Sequence, residues 1–360
     1  MLEQKRIRDY GIKVGRMKTG RLNAITDVEG VKVGQKTIKH KDVNTGVTAV
    51  IPRQGDVFHN KVRAASVVFN GYGKSLGLIQ VDELGTIETP VVLTNTLSVG
   101  TAHQALVEYM LERNADIGEE SGTVNPVVGE CNDQYLNDIR GFYVKKNDVS
   151  QAIKNAGIHF KEGAVGAGTG TSCFGLKGGI GTASRRIKIG DKEYIIGALV
   201  QSNFGKLEDF ILNGEKLGLK IKKHRKNNGE KISDSFEDRG EEKGSIMMIL
   251  ATNIPLTARQ LKRVARRCQV GLSRTGSYMA NGSGDIVVAF SVGESNKNGR
   301  KDLFKNNFLD ENNINSFFRA TVESTEEAIY NSMITAETTK GRKGRIRLSL
   351  QNYMSFLKNN

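Results

Sequence analysis

The chain has 360 residues, with 41 glycines, 4 prolines, no tryptophan and a formal net charge of +14. An apolar fraction of 38% is that of a globular protein rather than a disordered one. No apolar run reaches the roughly 20 residues that a membrane-spanning helix needs, and none of the scattered histidines forms an H-x-x-x-H pair. Cys131, Cys173 and Cys268 form no close pair, so free thiols and a reducing cytoplasm are expected. The basic N-terminus lacks the apolar core of a secretory signal, which agrees with that location.

A basic balance raises the question of nucleic acid. Lysine is paired with asparagine in "NKNGRKDLFKNNFLDENNIN", as in an AT-biased coding sequence, and no helix-turn-helix or zinc-finger spacing accompanies the charge. Neither a nucleic-acid nor a membrane partner is therefore expected.

Along the chain, residues 24–38, 46–55 and 63–77 alternate β-branched runs with glycine turns and are predicted strands. Residues 89–100 predict another strand, and 101–113 a helix with Leu106, Val107, Met110 and Leu111 at helical spacing. "NPVVGECND" (125–133) ends a strand in an acid-containing polar turn. The glycine-dense segment 163–205 holds two strands, one of them at 193–203. Residues 215–244 are highly charged, basic over Lys222, Lys223, His224, Arg225 and Lys226 and then acidic, and predict a solvated, mobile linker. A buried-type strand follows Ser245. A helix over 257–272 is predicted with Thr257 as its N-cap, Leu261, Val264, Ala265 and Cys268 on its apolar face, and Arg259, Lys262, Arg263, Arg266 and Arg267 opposite. Residues 281–293 predict a turn and a strand, and 324–337 a capped helix. The sum is a sheet-rich α+β protein.

Two places carry chemistry. "GAGTGTSCFG" has no P-loop lysine and no clear βαβ setting, so its glycines are expected to serve close backbone approach around a small-molecule cleft. Ser245 follows Gly244 where a charged run meets an apolar strand. A serine hydroxyl needs a base. No triad motif contains His40, His59, His103, His159 or His224. If the Gly244–Ser245 bond were cut by the serine itself, the new α-amino group, with an ordinary pKa of about 7.7–8.0, could be that base. An ordinary strand-edge serine is the alternative at this point.

Several blocks, in order, resemble the L-aminopeptidase / D-amino-acid esterase-amidase family, which includes the β-aminopeptidases: "RLNAITDVEGVKVGQ", "NGYGKSLG", "NPVVGECNDQYLNDI", "GAVGAGTGTSCFGLKGGIGTASR", "GALVQSNFG", "GSIMMILATNIPLTARQLKRVARR", "NGSGDIVVAFS" and "EAIYNSM". The resemblance implies one self-processing hydrolase domain over 1–360. Its fold would be a four-layer αββα sandwich, like that of the N-terminal-nucleophile hydrolases but differently connected. It implies cleavage at Gly244–Ser245 into chains 1–244 and 245–360, assembly of the heterodimers into a tetramer, and no cofactor or metal.

By the same resemblance Ser245 is the nucleophile, and Ser283 and Asp285 form the pair around it and its amino group. Asn203 helps to polarise the carbonyl, and Glu130 binds the substrate ammonium. Asn132 stands where some relatives have a catalytic-pocket tyrosine, which bears on substrate choice, and Tyr135 is near in sequence. The expected substrate is a small peptide or amino-acid amide. An acyltransferase of the same architecture and a non-catalytic basic binding protein are the competing readings.

Overall fold

The computed structural model describes residues 4–228, 243–293 and 308–357. Its elements run in the order β1 (Lys32–His40), β2 (Val43–Ile51), β3 (Val62–Gly71), α1 (Leu78–Leu84), β4 (Thr86–Ile87), β5 (Val91–Asn95), α2 (Val99–Leu111), β6 (Val127–Cys131) and α3 (Lys146–Lys154). There follow β7 (Ser172–Cys173), β8 (Leu176–Lys177), β9 (Ile180–Ile189), β10 (Lys192–Asn203), α4 (Leu217–Asn227), β11 (Lys243–Thr252), α5 (Ala258–Ala265), α6 (Cys268–Arg274), β12 (Gly282–Ser291) and α7 (Ile314–Ile334).

The strands form a four-stranded sheet in the order β1-β2-β5-β6 and a six-stranded sheet in the order β4-β3-β12-β11-β10-β9. Each sheet holds one parallel pair, β5 with β6 and β11 with β12. A parallel pair needs a long crossover, here α2 in one sheet and α5 with α6 in the other. Both faces of β11 are covered, so it reads as the continuous run "IMMILA" rather than as an alternation. Met247 and Ile249 face an inner core shared with Leu93, Val127 and Cys131 of the smaller sheet. Ile246, Met248 and Leu250 face Leu261, Val264, Ala328 and Ile329 of the outer helices. Val99, Ala102 and Leu106 of α2 and Val149 and Ile153 of α3 cover the other side of the smaller sheet, on Val47, Ala49 and Val92. The layers are therefore αββα, as expected.

Three expectations are corrected. The first part of the charged stretch 215–244 is helix α4, which buries Leu217, Gly218, Ile221 and Arg225 at i, i+1, i+4 and i+8; residues 229–242 lie outside the described residues. The predicted helix over 257–272 is two helices. Thr257 does cap the first, its hydroxyl accepting from the Gln260 N–H in a capping box. The predicted helix at 324–337 is the end of α7, which begins ten residues earlier and is buried on nearly every side.

Burying α7 means burying its acids. Glu323 and Glu327 share the fully buried guanidinium of Arg185, at 3.1 and 2.6 Å. Arg8 and Asn23 each donate to Glu327 at 2.6 Å, and the Met17 N–H to Glu323 at 2.9 Å. Removing one partner from such a group strands the remaining charges in the interior. Arg185→Met is expected to destabilise the protein by about 3–5 kcal/mol, read as a lowered midpoint in urea unfolding. An unchanged midpoint would show that the network contributes nothing net.

Candidate active site

Ser245 is the third residue of β11, at the centre of the larger sheet. It pairs with Asn203 of β10 on one side and Gly284 of β12 on the other. Gly244 pairs with Ser283, so Ser283 and Asp285 flank the residue opposite the serine. The glycine is needed for a packing reason. A Cβ on Gly244 would lie 2.6 Å from Cα of Phe204 and 2.7 Å from the carbonyl oxygen of Asn203, both rigid backbone.

The Ser245 side chain is 3% exposed, and its Oγ has no hydrogen-bond partner of normal geometry. A buried polar atom without a partner is costly, and such atoms cluster where chemistry is done. The Cys131 thiol lies beside it but is no rival nucleophile. Burial, and then the Glu130 charge, push that thiol far above the ordinary range, and it donates instead to the Gln201 carbonyl at 3.3 Å.

Asp285 is fully buried. Its Oδ1 accepts from the Ser283 hydroxyl at 2.7 Å, and its Oδ2 has no partner. Burial raises its carboxyl to about 6, against a smaller lowering by the Ser283 hydrogen bond. Neither side chain is hydrogen-bonded to the Ser245 hydroxyl, and Asp285 keeps one acceptor unused.

Glu130 lies in β6, is 3% exposed, and faces the same cleft. Its Oε1 accepts from the Lys74 N–H at 2.9 Å and its Oε2 from the Thr96 hydroxyl. Both donors are neutral, and no lysine or arginine side chain of the described residues pairs with it. A buried carboxylate held only by neutral donors has room for a charge-assisted bond to a cation.

Asn203, at the end of β10, accepts the Ser172 N–H on Oδ1 at 3.0 Å. Asn132 also lines the cleft, its Oδ1 accepting from the Gln134 N–H at 3.0 Å in a tight turn. Ser245, Asn203, Glu130 and Asn132 thus open on one cavity of ≈ 390 Å³, shared with Tyr72, Lys74, Thr96, Tyr135, Ser172 and Gly175. Among the described residues no histidine lines it. Ser283 and Asp285 do not line it. Sequence reasoning gave no role to Lys74, Thr96 or Ser172. Two of them contribute backbone N–H groups, which leave no mark on a side-chain pattern. The glycine-dense segment does bring backbones together, but mostly in the interior: a Cβ on Gly181 would lie 2.0 Å from the Ala328 carbonyl oxygen of α7.

The model of peptidase family S58 matches residues 23–347. The chain belongs to peptidase family S58. Among curated relatives of this S58 peptidase, the β-peptidyl aminopeptidase BapA of Sphingosinicella microcystinivorans is 36% identical, covering 95% of this chain and 88% of that one. A crystal structure from Pyrococcus horikoshii OT3 is 49% identical, with a TM-score of 0.89 over 98% of this chain and 99% of the other. The L-aminopeptidase D-Ala-esterase/amidase of Ochrobactrum anthropi is 35% identical, with a TM-score of 0.86 over 97% and 96%. That protein is described as a prototype for the serine aminopeptidases and a variant of the N-terminal-nucleophile hydrolase fold. The S58 peptidase described here is accordingly an enzyme of the serine aminopeptidase/amidase kind, which displaces the acyltransferase and binding-protein readings.

Proposed function

We propose that this peptidase cuts its own Gly244–Ser245 bond and then releases N-terminal amino acids from small peptides, amides or esters through Ser245. The observation that carries the reading is one cleft holding a buried, unpartnered serine hydroxyl and a buried carboxylate without a cationic partner. Ser245 Oγ attacks the Gly244 carbonyl carbon and the acyl group passes from N to O, freeing the α-amino group. Water then hydrolyses the ester, leaving a Gly244 carboxylate and the restored hydroxyl. In turnover the same hydroxyl attacks the substrate carbonyl. The α-amine takes its proton and passes it to the leaving amine, and water resolves the acyl-enzyme. Glu130 holds the substrate ammonium, and Asn203 donates to the oxyanion. Asn132 and Tyr135 shape the far side of the cleft and bear on side-chain choice. A small peptide or amino-acid amide as substrate, a tetramer of processed heterodimers and a cytoplasmic location belong to the same reading. The described residues include no helix long and apolar enough to cross a membrane.

The deciding experiment is intact mass and N-terminal sequencing of the purified protein, beside hydrolysis of an α- and a β-aminoacyl p-nitroanilide. Two fragments, one starting at Ser245, together with hydrolysis support the reading. An uncut chain without hydrolysis removes it.

Asp285 adds a pH dependence. If its carboxylate must be ionised for the uncut chain to process itself, the rate of self-cleavage falls as pH drops through about 6. The limb is not unfolding by this group. Burial raises its pKa, so its contribution to stability is complete below the ordinary value of 3.8 and is lost as pH rises through about 6. Asp285→Asn should be slow at every pH and lack the limb. A wild-type profile flat from pH 5 to 7 would remove Asp285 from the mechanism.

A further inference from the structure

Lys177 is fully buried, yet the proposed mechanism does not use it. Its ammonium donates to three backbone carbonyls, those of Gly168 at 2.9 Å, Thr171 at 2.8 Å and Gly178 at 2.7 Å. Two of these are immediate neighbours of the hairpin formed by β7 and β8. That hairpin turns through Phe174 and Gly175, both with positive φ (48° and 67°), the signature of a tight two-residue turn. Phe174 is no glycine, and its left-handed backbone is held by packing. Its ring stacks on Phe210 at 4.9 Å and meets Phe204 edge-on at 5.0 Å, and its N–H donates to the Phe204 carbonyl. Across the hairpin, Lys177 is the register partner of Ser172.

Ser172 is where the hairpin reaches the active site. Its N–H donates to Asn203 Oδ1. A terminal amide has one acceptor end and one donor end, and that contact takes the acceptor. A reversed amide would set its NH2 against the Ser172 N–H, donor against donor. The hairpin therefore leaves Asn203 Nδ2 as the end free to serve an oxyanion. On its open side the hairpin has a second pin. Arg347 donates through Nε to the Ser172 hydroxyl at 3.2 Å, and its guanidinium stacks 3.6 Å from the centre of the Tyr135 ring.

We propose that Lys177 is a positioning residue for Asn203. Its buried ammonium gathers the carbonyls at the base of the β7–β8 hairpin and so fixes the Ser172 N–H that orients the Asn203 amide. The inference rests on the assignment of Asn203 as oxyanion donor. An ammonium suits the task because it offers three donors to three converging carbonyls; the Thr171 carbonyl also accepts the Gly178 N–H at 3.2 Å and the Gly168 carbonyl the Thr171 hydroxyl at 3.1 Å, while the Gly178 carbonyl depends on the ammonium. An apolar side chain would leave the Gly178 carbonyl unpaired in the interior and the other two with one donor each. Burial of the charge is correspondingly expensive, and it pulls the ammonium down to about 7. Asp133, two residues beyond Cys131, lies within electrostatic range and opposes that shift.

A double-mutant cycle tests this, with kcat and KM for an aminoacyl p-nitroanilide normalised to the processed fraction found by intact mass. Asn203→Ala is expected to lower kcat about 10²–10³-fold. Lys177→Met is expected to lower kcat at least tenfold while leaving KM within about twofold, because the Glu130 subsite is untouched. In the double variant the Lys177 effect should disappear, since there is no amide left to orient. If Lys177→Met slows the Asn203→Ala enzyme by the same factor as wild type, or raises KM alone, Lys177 acts only on the fold and the proposal is wrong. If Lys177→Met does not fold, Arg347→Met reads the same hairpin from its open side. A loss of kcat that vanishes without Asn203 supports the proposal, and an unchanged or additive effect overturns it. A wild-type kcat in Asn203→Ala would instead strike the oxyanion assignment beneath it.

Discussion

Replacing Ser245 by alanine is expected to yield one uncut chain of 39.4 kDa where the wild type should give two, and to abolish hydrolysis. The substitution deletes a hydroxyl that makes no hydrogen bond of normal geometry, so fold stability should change little. In the proposed mechanism both reactions use the same atom. Without it, neither the N-to-O shift nor an acyl-enzyme can form, and the α-amine base never appears. The loss in kcat should be on the order of 10⁶-fold, as when the nucleophile of another serine hydrolase is removed. Ser245→Cys separates the two roles, since a thiol can form the acyl intermediate. Two fragments from Ser245→Ala would place the cut in the hands of another protease.

Glu130→Gln has the second largest expected effect, and it is selective. Glutamine has the shape of the glutamate and can still accept the Lys74 N–H. What goes is the charge that a substrate ammonium would meet in a nearly dry site. Losing one side of a buried charge pair costs about 2–5 kcal/mol, so kcat/KM for a free-amine substrate should fall about 30-fold or more. The fall should sit mainly in KM, because the ammonium is bound alike before and during reaction. An N-acetylated substrate, which has no ammonium, should be hydrolysed no worse than by wild type. An equal fall for both substrates would move Glu130 from recognition to catalysis or to the fold.

The strands were legible in the sequence where one physical cause dominated. β11 stands out because an apolar run buried on both faces begins straight after a charged stretch. Thr257 announced α5, because a capping hydroxyl followed by Gln260 is a local device. Where the cause was distant, the sequence was mute. α7 carries Glu323, Glu326 and Glu327 among apolar residues and shows no polar face, because its acids are neutralised by Arg8, Arg185 and Arg274 from elsewhere in the chain. α4 was hidden by the lysines on its open side. In the site, Ser245 drew attention by its place after Gly244 at the start of an apolar strand, whereas the role expected of Glu130 came from the family resemblance. Thr96, Lys74 and Ser172 gave no sign, since they act through a hydroxyl or a main-chain N–H on a neighbour that only the fold supplies.

The strand order of the larger sheet has a consequence for any cut at Gly244. The strands after the cut, β11 and β12, are neighbours, and strands from before the cut flank them on both sides, β3 and β10. The two products would be interleaved like the teeth of a zip, each completing the other's sheet. They would part only with difficulty, because separation would mean tearing open two backbone ladders and both hydrophobic cores. Such an enzyme would have two polypeptides but a single unfolding transition, whose midpoint would rise with protein concentration because unfolding releases two chains. Its halves, made separately, would have no folded form to exchange.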